Sequence, residues 1–90
     1  MFFVYVLLSV NNERTYTGMT LDVQKRLAQH NRKENKSTKA FAPWILIYKE
    51  EFLSRIEARK KEKYLKSGVG REFIKTLLNS QSNWPRGATE

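Results

Sequence analysis

Cysteine is absent from the 90 residues. Its absence excludes a disulfide framework, a thiolate zinc site and a cysteine nucleophile together. It also fits a reducing compartment, so a cytoplasmic location is expected. No apolar stretch approaches the roughly 18 residues that a membrane span requires, and no membrane partner segment is expected. The apolar start, Met1 to Val10, lacks the basic flank and small-residue cleavage site of a signal peptide, and Asn11-Asn12 interrupts it; it reads as a buried strand. Internal repeats and low-complexity tracts are also missing. Acidic residues are scarce: nine Asp+Glu stand against 17 Lys+Arg, a net charge of +8. The length suits one domain, and an apolar fraction of 40% supplies a modest core and argues against disorder. A small basic domain of this kind meets nucleic acid, an anionic surface or an acidic protein.

The positive charge is concentrated. Residues 22–39 set Asp22 and Glu34 against six bases, net +4, and residues 54–75 set three acids against eight bases, net +5. Residues 1–21 and 76–90 are neutral, and residues 40–53 are net −1. Two basic blocks separated by strand-like sequence favour nucleic-acid binding.

Phe2 to Leu8 is a continuous aromatic and β-branched run, suited to a central strand covered on both faces. Asn11-Asn12 suits a tight turn, and Arg14 to Gly18 returns as a second strand. Thr20 is placed to cap a helix running to about Arg32. Residues 33–42 read as a polar, basic loop. Pro43 to Tyr48 reads as a third strand, with proline at its permitted first position. Ser54 opens a second helix that Gly68 ends, and Glu72 to Leu78 forms a short third helix. The fold expected is an α/β domain of the α+β type: a small, mainly antiparallel three-stranded sheet flanked by helices, in the order ββαβαα.

Some positions exceed what packing needs. Val23, Arg26, Leu27 and His30 fall on one helical stripe, so Arg26 and His30 share the core-facing side, one turn apart. Burying unpaired charge there is expensive, which argues for a site; the alternative is an Arg26 stem lying on the core with its head in water. A two-residue turn at 11–12 pairs Leu7 with Tyr16 and Tyr5 with Gly18, and strand alternation puts all four on one face. Gly18 is expected to leave open space opposite Tyr5. The ordinary alternative is two buried phenols that hydrogen-bond carbonyls. On the second helix, Glu57 is accounted for by a capping box with Ser54, its carboxylate reaching back to the Ser54 amide. Glu62 lies beside Ala58 and Leu65. It either pairs with Lys66 at i,i+4 or holds a divalent ion against a phosphate.

The ordered set Val4-Tyr5-Val6, Tyr16-Thr17-Gly18, Lys25-Arg26-Leu27, His30 and Glu57-Ala58 through Glu62-Lys63-Tyr64-Leu65-Lys66 resembles the GIY-YIG nucleases. Ser37-Thr38-Lys39 before Pro43-Trp44, and Lys66-Ser67-Gly68 before Gly70-Arg71-Glu72-Phe73, resemble their small stand-alone bacterial branch. The resemblance covers residues 2–78, implying a nuclease-like domain over 1–78 and a loosely packed tail over 79–90. Val4 stands where the family has glycine and Thr17 where it has an aliphatic residue. Met19 replaces the lysine that some relatives have after the second tripeptide.

The resemblance implies a metal-dependent endonuclease acting on DNA. Glu62 would hold one Mg²⁺ or Mn²⁺, and Arg26 would grip the scissile phosphate. Tyr5 would be the general base, its pKa lowered by Arg26 and the metal, with Tyr16 orienting water or phosphate, or the two reversed. His30 would hydrogen-bond a phenol or the phosphate, and Gly18 is structural. Lys36, Lys39, Lys60, Lys61 and Arg71 are candidates for nucleic-acid backbone contacts. A chain of this length has no room for a separate targeting domain, so branched or distorted DNA, or weak sequence preference, is expected. The alternatives are a nucleic-acid-binding module with the same fold and little catalysis, and an interaction protein for an acidic partner.

Overall fold

Strand β1 (Phe2–Ser9) occupies the middle of a three-stranded sheet, with β2 (Thr15–Thr20) on one side and β3 (Trp44–Phe52) on the other. Both pairings are antiparallel. This computed structural model describes residues 1–11 and 14–80; Asn12 of the expected turn and the tail from residue 81 lie outside the described residues. Three helices follow the order expected: α1 (Val23–Asn31), α2 (Arg55–Lys66) and α3 (Gly68–Ser80). No described helix is long and apolar enough to cross a membrane.

The continuous apolar run of β1 has its reason in this position. Val4 to Ser9 are all buried, and successive side chains supply two different cores. Val4 and Val6 pack with Ala58, Leu65 and Ile74 from α2 and α3 on one face. Tyr5 and Leu7 pack with Val23 and Trp44 on the other, with Tyr16 and Leu27 at the margin. Each fully buried aliphatic side chain contributes about 1.5–3 kcal/mol of transfer free energy. The register pairs Leu7 with Tyr16 and Tyr5 with Gly18, as the parity of the turn requires. Between β1 and β3 the register slips by one at Val6/Leu7, so Tyr48 opposes Val6 while Leu46 opposes Leu7. This bulge lets adjacent Ile47 and Tyr48 both serve the α2/α3 core while Trp44 and Leu46 serve the α1 core.

Several boundaries differ from expectation. The cap of α1 is Asp22, whose carboxylate accepts from the Lys25 amide; Thr20 ends β2 instead. The helix closes on Lys33 at φ 64°, with the Lys33 amide on the His30 carbonyl and the Glu34 amide on that of Gln29. This is a Schellman closure with lysine in the left-handed position that glycine usually fills, so no sequence punctuation marked it. Residues Lys39–Phe41 form one 3-10 turn inside the expected loop. The third strand continues four residues beyond Tyr48, to Phe52. Ser67, in extended conformation, ends α2, so Gly68 starts α3 rather than stopping α2. Gly70 shows why the corner is tight: an added Cβ would lie 2.0 Å from the Tyr64 carbonyl oxygen and 2.4 Å from the Leu65 Cα. Helix α3 passes the expected boundary at 78 and runs through Asn79 and Ser80, where the tail was expected to begin.

Candidate active site

Gly18 is where the site begins. A Cβ there would lie 2.6 Å from the Tyr5 hydroxyl, 2.8 Å from its ring carbon Cζ and 3.0 Å from the Tyr16 ring. The space opposite Tyr5 is therefore filled, by the Tyr5 phenol itself, and the expectation of an opening at Gly18 is corrected. Because Gly18 lacks a side chain, the phenol crosses edge strand β2 and carries its hydroxyl toward the edge.

Helix α1 meets this phenol from its own face. His30 is fully buried, with Nε2 3.1 Å from the Tyr5 hydroxyl and Nδ1 2.8 Å from Thr38 Oγ1. Thr38 is also buried, and its carbonyl accepts from the Trp44 indole at 3.1 Å. Asn31, one residue on, holds both backbone groups of Trp44. The 33–42 segment is thus pinned to β3, and the imidazole has a hydroxyl partner on each nitrogen. The Tyr16 ring lies over the imidazole, with centroids 4.9 Å apart, and stands 6.2 Å from the Tyr5 ring. Arg26 donates to the Gln29 side-chain oxygen at 3.1 Å, and its guanidinium lies near enough to the Tyr5 hydroxyl to favour the phenolate.

Helix α2 contributes Glu62. Its side chain is 15% exposed, and it accepts from Lys66 Nζ at 2.9 Å. Its charge reaches the Tyr5 phenol. The i,i+4 pair expected from spacing is therefore present. Glu57 is exposed on the same helix. It takes a hydrogen bond from the Ser54 hydroxyl at 3.2 Å rather than from the Ser54 amide, while Ser54 caps the Glu57 amide.

These neighbours shift two titrations. Burial pushes the Tyr5 phenol above its ordinary 10.0; the Arg26 guanidinium opposes the rise, and Tyr16 and Glu62 add to it. Of the lowering expected from Arg26 and a metal together, the Arg26 part is present but is outweighed by desolvation in the chain's own field. Burial, and then the Arg26 charge, push His30 below its usual 6.5, so the imidazole is neutral near pH 7.

The remaining candidates separate. Lys36, Lys39 and Lys60 are exposed. Lys61 is engaged within the domain, 3.4 Å from Glu50 and over the rings of Tyr64 and Phe73. Arg71 lines a cleft of about 430 Å³ with Arg14, Tyr16, Thr17 and Lys66. Sequence reasoning assigned no role to Thr38, although a threonine on a polar loop eight residues after an inward histidine was the available signal. Arg14 gave none, being an isolated charge at a strand end.

Comparison with known proteins gives the family. Residues 1–75 match the model of the GIY-YIG catalytic domain. The chain belongs to the GIY-YIG family. Its relatives include a UPF0213 protein of Staphylococcus haemolyticus, 36% identical over 76 residues, which cover 83% of this chain and 92% of the relative. A UPF0213 protein of Streptococcus agalactiae is 42% identical over 83 residues, covering 88% and 93%. The solution NMR structure of a UPF0213 protein from Bacillus halodurans superposes with a TM-score of 0.52 at 29% identity, covering 99% of this chain and 94% of that one. Within this GIY-YIG domain, His30, Tyr16 and Arg26 lie about the Tyr5 phenol.

Proposed function

We propose that this GIY-YIG protein is a divalent-metal-dependent endonuclease that hydrolyses phosphodiester bonds of DNA, preferring distorted or branched backbones or acting with little sequence preference. The observation that carries the reading is a buried Tyr5 hydroxyl bonded by His30, with the Tyr16 ring and the Arg26 guanidinium next to it and Glu62 near enough to act on it electrostatically. A packing core has no use for a guanidinium at a buried phenol.

Among the described residues, no three His, Asp or Glu side chains form a metal cluster. The donor from the chain is the Glu62 carboxylate alone. That set suits hydrated Mg²⁺ or Mn²⁺, which bind through one or two carboxylates with phosphate oxygens and water completing the shell, and it does not suit zinc. When bound, the ion supplies positive charge for the phosphate and the leaving oxygen. Lys66 must then release Glu62.

Arg26 grips the scissile phosphate through two oxygens, which its planar fork suits. The buried phenol of Tyr5, raised in pKa and held by His30 and Arg26, keeps its proton and orients the reactants. Tyr16, half-buried against the imidazole, is the general base and, once it has itself lost its proton to solvent, takes as the phenolate the proton of the attacking water. Of the two assignments that the resemblance leaves open this is the second, and the burial of Tyr5 is the reason. Lys36, Lys39 and Lys60 contact the backbone beyond the site. The absence of cysteine supports a cytoplasmic location.

A second reading, a nucleic-acid-binding module without turnover, draws support from the Lys66–Glu62 pair, which neutralises the carboxylate without a metal. A plasmid-nicking and branched-oligonucleotide assay with Mg²⁺, Mn²⁺ and Ca²⁺ decides between them. The nuclease reading expects cutting with the first two, little with Ca²⁺, and none from Glu62→Ala at undiminished DNA affinity. A wild type inert on every substrate and metal, yet binding DNA, establishes the module instead.

A further inference from the structure

The cleft between the outer edge of β2 and the α2–α3 corner is distinct from the Tyr5 cluster but touches it twice. Its floor is Thr17, Leu65 and Ile74, and its rim carries Arg14, Lys66 and Arg71. None of the described residues lining it is acidic. Tyr16 belongs to both places: one side of it lines the cleft, and its ring lies against His30. Lys66 also belongs to both, since it lines the cleft and binds Glu62.

The three cations differ in what the fold already asks of them. The Arg14 guanidinium lies 4.4 Å from the centre of the Phe41 ring, a contact that holds it without pairing its charge with a carboxylate. Lys66 is committed to Glu62 only until a cation takes that carboxylate. Arg71 makes no ion pair among the described residues and sits at the first turn of α3. Folding accounts for Arg14 on Phe41 and for Lys66 on Glu62 but not for Arg71, and three cations lining one cleft repel. An anion there relieves that repulsion, and the threonine hydroxyls of the walls add donors.

We infer that this cleft is a second phosphodiester subsite, which binds the backbone phosphate next to the scissile one on the strand that crosses Tyr16. The inference rests on the nuclease reading for which phosphate is scissile. It also gives Lys66 two successive partners: Glu62 in the resting protein and the neighbouring phosphate once Glu62 turns to a cation. A strand held at two adjacent phosphates is fixed in direction as well as position, which a single Arg26 contact cannot achieve.

The test is an NMR titration of the full chain, following the side-chain Nε–Hε signals of Arg14, Arg26 and Arg71. The probes are inorganic phosphate, a thymidine dinucleotide with one phosphodiester and a thymidine tetranucleotide with three, without metal. The subsite requires the tetranucleotide to shift Arg14, Arg26 and Arg71 together, and to bind at least tenfold more tightly than the dinucleotide. Arg14→Gln with Arg71→Gln should remove that gain, leave the Arg26 shift in place, and lower the salt slope on duplex DNA by up to about 1.8, near 0.9 per lost contact. Shifts at Arg26 with Arg14 and Arg71 silent overturn the subsite and leave the nuclease reading standing. Shifts at Arg14 and Arg71 with inorganic phosphate but not with either oligonucleotide also overturn it, in favour of a free-anion site. The nuclease reading fails separately, by the inert-enzyme outcome of the cleavage assay.

Discussion

Glu57 and Glu62 lie on one helix, and their surroundings give them different work. Glu57 is exposed and meets only the Ser54 hydroxyl, so Glu57→Ala should change stability by no more than about 0.5 kcal/mol and leave cleavage intact. Ser54→Ala removes the cap of the Glu57 amide and should cost about 1 kcal/mol by urea unfolding. The tyrosines also separate. Tyr16→Phe removes the proposed base and should abolish cleavage with little change in melting temperature. Tyr5→Phe leaves the buried His30 nitrogen without its partner and should cost about 1–3 kcal/mol of stability as well as activity. His30 sets a pH dependence. Its folded pKa is depressed below 6.5, so the unfolded chain binds the proton first as pH falls. The stability it contributes is complete above pH 6.5 and is lost as pH falls through the folded value. Melting temperature should therefore drop from pH 7.5 toward pH 5, and a His30→Gln variant should show a shallower drop. An equal drop in the variant places the dependence on the carboxylates.

At the scale of elements, the α2–α3 corner is the most sharply testable feature. Neither Gly68 nor Gly70 has a positive φ, so space alone distinguishes them. Around Gly68 an added Cβ meets nothing within 4 Å, whereas at Gly70 it meets the α2 backbone. Gly68→Ala should be neutral or stabilise by up to about 1 kcal/mol, through reduced freedom of the unfolded chain. Gly70→Ala must push α3 away from Tyr64 and Leu65 and should destabilise by about 1–3 kcal/mol or more, because backbone atoms cannot step aside as a side chain can. Thermal melts of the two variants check the contrast. The cleft at the same corner should widen in the Gly70 variant, and weaker oligonucleotide binding would accompany the lost stability.

Across the whole molecule, the proposed DNA substrate and the +8 charge predict electrostatic association more than base recognition. Binding to duplex DNA should fall steeply with salt, with a slope of about −0.9 per phosphate contact, and depend weakly on sequence. Fluorescence anisotropy across a salt series measures this, and affinity flat in salt would point to a protein partner. In the proposed site one carboxylate, Glu62, already paired with Lys66, is too small a donor set to hold Mg²⁺ tightly by itself. Calorimetric Mn²⁺ titration should give little heat without DNA and a clear isotherm with a non-cleavable oligonucleotide. By linkage the oligonucleotide should bind more tightly with Mn²⁺ present, by the same factor.

The order ββαβαα, the central place of β1, the Tyr5–Gly18 register and the shared stripe of Arg26 and His30 follow from the sequence alone. Each is a matter of period: side chains alternate along strands and recur near 3.6 along helices, and turn parity then sets which residues oppose one another. The family was legible for the same reason, since its motifs are residues at set spacings on such elements. Long-range packing decided the rest. The Lys33 closure, the bulge after Val6 and the start of α3 at Gly68 answer to tertiary neighbours that no local pattern encodes. So does the phenol filling the space at Gly18, because a missing side chain looks alike in sequence whether its neighbour turns toward it or away. The sign of the Tyr5 shift was likewise out of reach: it is set by how much water the surrounding residues exclude, and the spacing of Tyr5 from Arg26 reports only the attraction that burial overrides.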